Sequence, residues 1–202
     1  MVTAKRTGTE KPFHSSITLI RHGPPAVSLR QRVSGHQFRK FVERYDAARI
    51  AHQALPPIAV RRVVADADVV FASSRPRAVH TAELLGVPRP ALVDPQFREI
   101  EFPVDFPRHF RFSALTWSVI AIALWRLGYA SRSEPFARTR KRAQIAVDTL
   151  ESQLAQLSGN SSVVLVAHAG INRMIAKELR KRGWHGRKLP HSMHWGCTTY
   201  CR

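Results

Sequence analysis

Three short apolar runs stand out along the chain: Ile17-Thr18-Leu19-Ile20, Val69-Val70-Phe71-Ala72 and Val163-Val164-Leu165-Val166-Ala167. Each is rich in β-branched residues and short enough to read as a buried strand. Between them the pattern changes to helical. Residues 37–50 have helical periodicity, and Ser73-Ser74-Arg75-Pro76 reads as a helix start, with Ser74 as the cap and Pro76 in the first turn, running to about Leu85 and stopping at Gly86. Residues 113–129 make a strongly apolar helix. Residues 134–157 make a long one with a basic face at Arg138, Arg140, Lys141 and Arg142, ended by Gly159. A further helix is predicted over 171–182, and a last strand through Trp195 and Thr198-Thr199-Tyr200. The proline-rich stretch 87–110 lacks periodicity and reads as an irregular crossing with one short strand near 97–101. Strands alternating with helices predict an α/β fold around a mostly parallel sheet.

Each of the three strands runs into polar residues able to do chemistry: Arg21-His22-Gly23, Ser73 to Arg77, and His168-Ala169-Gly170. In open α/β sheets ligands bind beyond the carboxyl ends of the strands, so these residues should converge on one site. Arg21 and Arg77 suit a clamp for a phosphoryl group, because a guanidinium matches phosphate oxygens and keeps its charge. Helices beginning near Arg77 and after Gly170 would add N–H groups and a positive dipole end. His22 can attack phosphorus from a neutral ring nitrogen, and the bare Gly23 beside it would let a ligand approach the backbone. His168 can stabilise charge on the transferring group. The leaving alkoxide needs a proton, for which Arg98-Glu99-Ile100-Glu101 offers two carboxyls; if the stretch is extended they share a face, and spacing does not choose between them.

These motifs resemble those of the histidine phosphatase superfamily, also called phosphoglycerate mutase-like. Arg21-His22-Gly23 matches its RHG signature. Ala72 to Ala78, continuing to Thr81-Ala82-Glu83, resembles its second-arginine motif, Phe97 to Ile100 its proton-donor segment, and Val163 to Gly170 its second-histidine strand. The resemblance spans roughly residues 17–182. It implies a three-layer sandwich with a mostly parallel central sheet. It also implies His22 as the phosphorylated nucleophile, Arg21, Arg77 and His168 on the phosphoryl oxygens, Glu99 rather than Glu101 as acid and base, and no metal or organic cofactor. Pro24-Pro25-Ala26-Val27-Ser28 departs from the Glu, hydroxyl residue and Asn that many members carry there and that touch sugar phosphate in the mutases. The expectation therefore falls on a phosphatase. Its alternatives are a phosphomutase of the same superfamily and a non-catalytic module that binds a phosphorylated ligand.

At 202 residues the chain fits one domain over 16–202, carrying an inserted apolar helix around 113–129 and preceded by a flexible basic leader over 1–15. Lys and Arg total 32 against 14 Asp and Glu, a net charge of +18, which attracts anions without selecting one. No nucleic-acid recognition motif is present, so a phosphorylated substrate is the expected partner and specific nucleic-acid binding is not expected. Arg111 and Arg126 bracket fourteen residues, a helical rise of about 21 Å that is short of the roughly 30 Å hydrocarbon core. The helix should be core or a cover over the site, or an exposed apolar lid with Trp117 and Trp125 meeting an anionic membrane surface peripherally. Together with the charge, the helix points to an anionic, amphiphilic substrate such as a lipid-linked phosphate; a phosphoprotein or sugar phosphate remains an alternative.

Cys197 and Cys201 would lie roughly 13 Å apart in a strand, too far to bridge, and a cytoplasmic, reducing location is the expectation. With His191 and His194 they form H-x2-H-x2-C-x3-C. This is not a common zinc spacing, and an extended chain would alternate their faces, so a terminal strand with incidental histidines is expected.

Overall fold

The computed structural model describes residues 15–87, 91–129, 133–157 and 159–202. The basic leader read at residues 1–15 lies, but for Ser15, outside them. The five-stranded central sheet has the order β4-β3-β6-β1-β7, with β1 Ser16–Arg21, β3 Val69–Ser73, β4 Leu92–Asp94, β6 Ser162–Ala167 and β7 Cys197–Cys201. The first four run parallel, and β7 closes the edge antiparallel to β1.

Side-chain alternation along these strands divides the core in two. Ile17, Leu19, Val163 and Leu165 face α5 (Phe136–Gln156) and α6 (Ala169–Lys181), whereas Ile20, Val164 and Val166 face α2 (Ile58–Ala65) and α3 (Pro76–Leu85). Strands covered on both faces must be apolar at successive positions, which is why β1 and β6 read as unbroken runs. The result is the expected three-layer α/β sandwich with a mostly parallel sheet.

A third apolar cluster stands apart from the sheet. It joins a two-stranded ribbon, β2 Arg32–Ser34 with β5 Arg111–Ser113, to α1 (Gly35–Ala47) and α4 (Ala114–Arg126) through Val33, Phe38, Phe41 and Trp117. Both helices start on serine caps. Ser34 and Gln37 form a reciprocal capping box, and the Ser113 hydroxyl accepts from the Thr116 N–H. The apolar helix therefore packs on α1 and the ribbon. Its buried stripe is Ala114, Trp117, Ala121 and Trp125, and each indole N–H has a carbonyl partner, Val33 O at 3.0 Å and Glu134 O at 2.7 Å. Among the described residues no helix is long and apolar enough to cross a membrane.

Several boundaries differ from the expectation. The short strand lies at Leu92–Asp94, because Pro95 forces a 3-10 turn over Pro95–Phe97 and the chain beyond it is irregular, so Glu99 and Glu101 do not share a strand face. The cap of α3 is Arg75 rather than Ser74, with Pro76 at the first helical position and Gly86 ending the helix in the left-handed region at φ 75°. Helix α2 shows only two buried valines, Val60 and Val64, a pattern too sparse to have been read from sequence.

Candidate active site

The three polar strand ends belong to neighbours in the sheet, β3, β6 and β1, so they open on one edge. The parallel pairing of β1 with β6 extends one residue past the strands, the His22 N–H donating to Ala167 O at 3.0 Å. That bond sets His22 beside the residue following Ala167, and the rings of His22 and His168 stand edge to face with centroids 5.1 Å apart.

His22 is 2% exposed, and its Nδ1 lies 2.7 Å from Gly23 O. A carbonyl can only accept, so the proton is on Nδ1 and Nε2 carries the lone pair. Arg77, 1% exposed, donates from Nε to that lone pair at 3.3 Å. The Arg77 guanidinium is anchored on its far side by Tyr45 O at 3.0 Å and Asp46 Oδ1 at 3.1 Å, and lies over the Tyr45 ring. Arg75 holds the other oxygen of Asp46 at 2.9 Å. Burial, and next the Arg77 charge, push the His22 imidazole well below the usual histidine range, so the neutral form, with its lone pair on Nε2, is the stable one.

His168 is fully buried. Its Nε2 is 2.8 Å from the Ser73 hydroxyl, and Nδ1 has no hydrogen-bond partner. Burial and the neighbouring Arg77 push its imidazole well below the usual range as well, so it too is neutral. Ser73 Oγ also accepts from the Arg75 N–H at 3.3 Å, which ties the hydroxyl to the start of α3.

Arg21 reaches across to donate to Ser192 O, while its Nε is buried without a partner. Glu99 sits at the start of α6. Its Oε1 accepts from the N–H groups of Ile100 and Ile171, both at 2.9 Å, and its Oε2 from that of Gly170 at 3.2 Å. The amino end of α6 thus serves Glu99, a correction to the expectation that those N–H groups meet the ligand. Gly170 leaves the carboxylate its room, because a Cβ would lie 2.5 Å from Glu99 Oε1. Gly23 has a different use from the one expected. The Trp195 indole occupies the space a Cβ would take, and the Gly23 N–H donates to Thr81 Oγ1 at 3.0 Å.

Arg21, Arg75, Arg77, Glu99 and Glu101 line one cavity of about 540 Å³. His22 and His168 are buried and are not among its lining residues, His22 meeting Arg77 through Nε2 and His168 through its ring. The five residues singled out from sequence are thus brought to one place. Asp46 and Tyr45, which hold Arg77, carry no sequence signal of that role, whereas Ser73, which meets His168, belongs to the strand end read from sequence. His194 is a further neighbour, its ring centroid 5.6 Å from that of His22 and its Nε2 buried without a partner. Burial, then the Arg21 charge, bring it down to about 4. It does not gather with the cysteines, and among the described residues no group of histidines, cysteines and carboxylates could hold a metal ion.

The family model of the histidine phosphatase superfamily (branch 1) matches residues 17–199, and the chain belongs to that superfamily. Its fold is shared with solved structures of low sequence identity. "Mycobacterial hydrolase 2" is 19% identical with a TM-score of 0.63, over 94% of this chain and 82% of that one. A mycobacterial glucosyl-3-phosphoglycerate phosphatase is 20% identical with a TM-score of 0.58, over 83% and 80%. A phosphoserine phosphatase mutant from Entamoeba histolytica, in complex with phosphoserine, is 15% identical with a TM-score of 0.55, over 92% and 89%. No curated protein matches the chain.

Proposed function

We propose that the protein hydrolyses phosphomonoesters through a covalent phosphohistidine on Nε2 of His22. The observation that carries this reading is the hydrogen bond from Nδ1 to Gly23 O, which leaves a neutral, nucleophilic Nε2 facing a buried guanidinium. When a phosphoryl group arrives, its oxygens take over the Arg77 N–H and free the lone pair it was covering. Attack forms the Nε2–P bond and breaks the bond to the leaving oxygen. The equatorial oxygens gain charge, which Arg21, Arg77 and an N–H of His168 stabilise. Glu99 gives the leaving alkoxide a proton. Oε1 already accepts two N–H bonds and Oε2 one, so Oε2 has the lone pair on which that proton would ride. In the second step Glu99 takes a proton from water, the water oxygen bonds to phosphorus, and the Nε2–P bond breaks to release inorganic phosphate.

The test measures free phosphate and rearranged ester side by side, on wild type and His22→Ala, across a panel of phosphomonoesters. Free phosphate from wild type alone is the expected result. Isomerised product without free phosphate would make the protein a mutase. No turnover of any ester would make it a binding module.

A further inference from the structure

The cavity is much larger than a phosphoryl group and lies within the usual range for small-molecule sites, about 300–1,000 Å³. Between its charged groups the wall is apolar and drawn from five parts of the chain, with Leu29 after β1, Phe41 on α1, Phe102 after the 3-10 turn, Leu115 and Ile122 on α4, and Met174 on α6. Helix α4 thus buries one stripe in its own cluster and turns the adjacent stripe, Leu115, Ser118 and Ile122, to the cavity.

Polar and charged side chains make up about half of the lining residues, but several are already engaged, Arg39 by Asp105 among them. The uncharged polar side chains among the described lining residues, apart from Tyr45, are Ser118, Ser133 and Ser192, and the Ser118 hydroxyl already donates to Ala114 O at 2.8 Å. Asp46 is held by Arg75 and Arg77, and Glu99 by backbone N–H groups. A leaving group with several hydroxyls would have Glu43, Glu101, Arg126 and Arg173 to pair with, and any hydroxyl turned to the apolar wall would lose its water unpaired. An alkyl or aryl group would release water from apolar wall at no such cost.

We infer that the substrate is a phosphomonoester of a bulky apolar alcohol, the phosphoryl group held at Arg21 and Arg77 and the apolar tail lodged between α4, α1 and α6. This rests on the hydrolytic reading above and gives that site its substrate class. Tail burial contributes to kcat/KM, because the transition state keeps the contact.

The experiment measures kcat/KM for n-alkyl phosphates from ethyl to octyl, all below their micelle concentrations, beside glycerol 3-phosphate and glucose 6-phosphate. The alcohols in the alkyl series differ little in acidity, so chain length changes binding and not the chemistry. The inference predicts a rise of up to about fourfold per added methylene, at least about a hundredfold in all, with both hydroxylated esters below hexyl phosphate. Ile122→Asp should lower the octyl-to-ethyl ratio at least about tenfold, and Ile122→Val should leave that ratio within about threefold. A flat alkyl series with measurable turnover would overturn the substrate class and leave hydrolysis standing. A rise that survives Ile122→Asp would overturn the placement of the tail. No turnover of any ester would overturn both this inference and the function it rests on.

Discussion

The Nε–H of Arg77 points at the Nε2 lone pair of His22, 3.3 Å away, so in the free protein the group expected to bind phosphate also covers the group expected to attack it. Tyr45 O and Asp46 fix the guanidinium on its other side, and the contact is a matter of position rather than chance rotation. A lysine has the charge but neither the planar fork nor the reach to keep both sets of bonds. Arg77→Lys should lower kcat/KM about a hundredfold or more with p-nitrophenyl phosphate while the protein remains folded. A loss under tenfold would remove Arg77 from the phosphoryl site.

Asp46 is the shared counter-charge of Arg75 and Arg77. Replacing it by asparagine keeps the shape and removes the charge, leaving the buried Arg77 cation with neutral partners, the carbonyls and His22 Nε2. Asp46→Asn should cost about 1–3 kcal/mol in urea unfolding, as for a lost hydrogen bond to a charged group. It should also raise KM more than it lowers kcat. Unchanged stability would show that the carbonyls of Tyr45 and Asp46 suffice.

Gly170 leaves just enough room for the Glu99 carboxylate, so Gly170→Ala must displace it or Ile100, whose Cδ1 would stand 2.9 Å from the new methyl. If Glu99 delivers the proton, both Gly170→Ala and Glu99→Gln should slow alkyl phosphates, whose leaving groups need one, far more than p-nitrophenyl phosphate, whose leaving group does not. Equal losses on both kinds of ester would take Glu99 out of the acid's role.

Three histidines are held neutral by the fold: His22 and His168 well below their usual range, chiefly by burial and then by Arg77, and His194 near 4, by burial and then Arg21. In the unfolded chain each titrates near 6.5. As pH falls below about 6.5, the unfolded chain takes up protons that the folded protein refuses, and stability drops by up to about 1.4 kcal/mol per pH unit for each histidine, less for the partly exposed His194. Urea unfolding at pH 7.5, 6 and 5 should show that decline, and His194→Gln should make it shallower. A pH-independent midpoint would contradict the neutral cluster.

What was legible in the sequence follows from what is local. β1 and β6 announce themselves because strands covered on both faces must be apolar at successive positions, and the polar residues just after them stand at a sheet edge by necessity. The ribbon of β2 with β5 was not legible. Its strands are three residues each and pair across the chain distance from Arg32 to Ser113, with no periodicity to register. Nor were the partners of the catalytic candidates. Asp46 meets Arg77 from the end of α1, and Trp195 covers Gly23 from a loop with a left-handed backbone at φ 61°. The H-x2-H-x2-C-x3-C stretch reads as a terminal strand with incidental histidines, and nothing in that spacing showed that the His194 ring would lie 5.6 Å from that of His22.

The account rests on a covalent bond between phosphorus and His22, and rapid acid-free quenching of the enzyme with a fast-leaving aryl phosphate, followed by peptide mapping, reads that bond directly. The prediction is an acid-labile, alkali-stable phosphoryl group on the peptide containing His22, formed and lost at the turnover rate and missing from His22→Ala. Steady turnover with no such adduct, or a label that persists in His22→Ala, would contradict it.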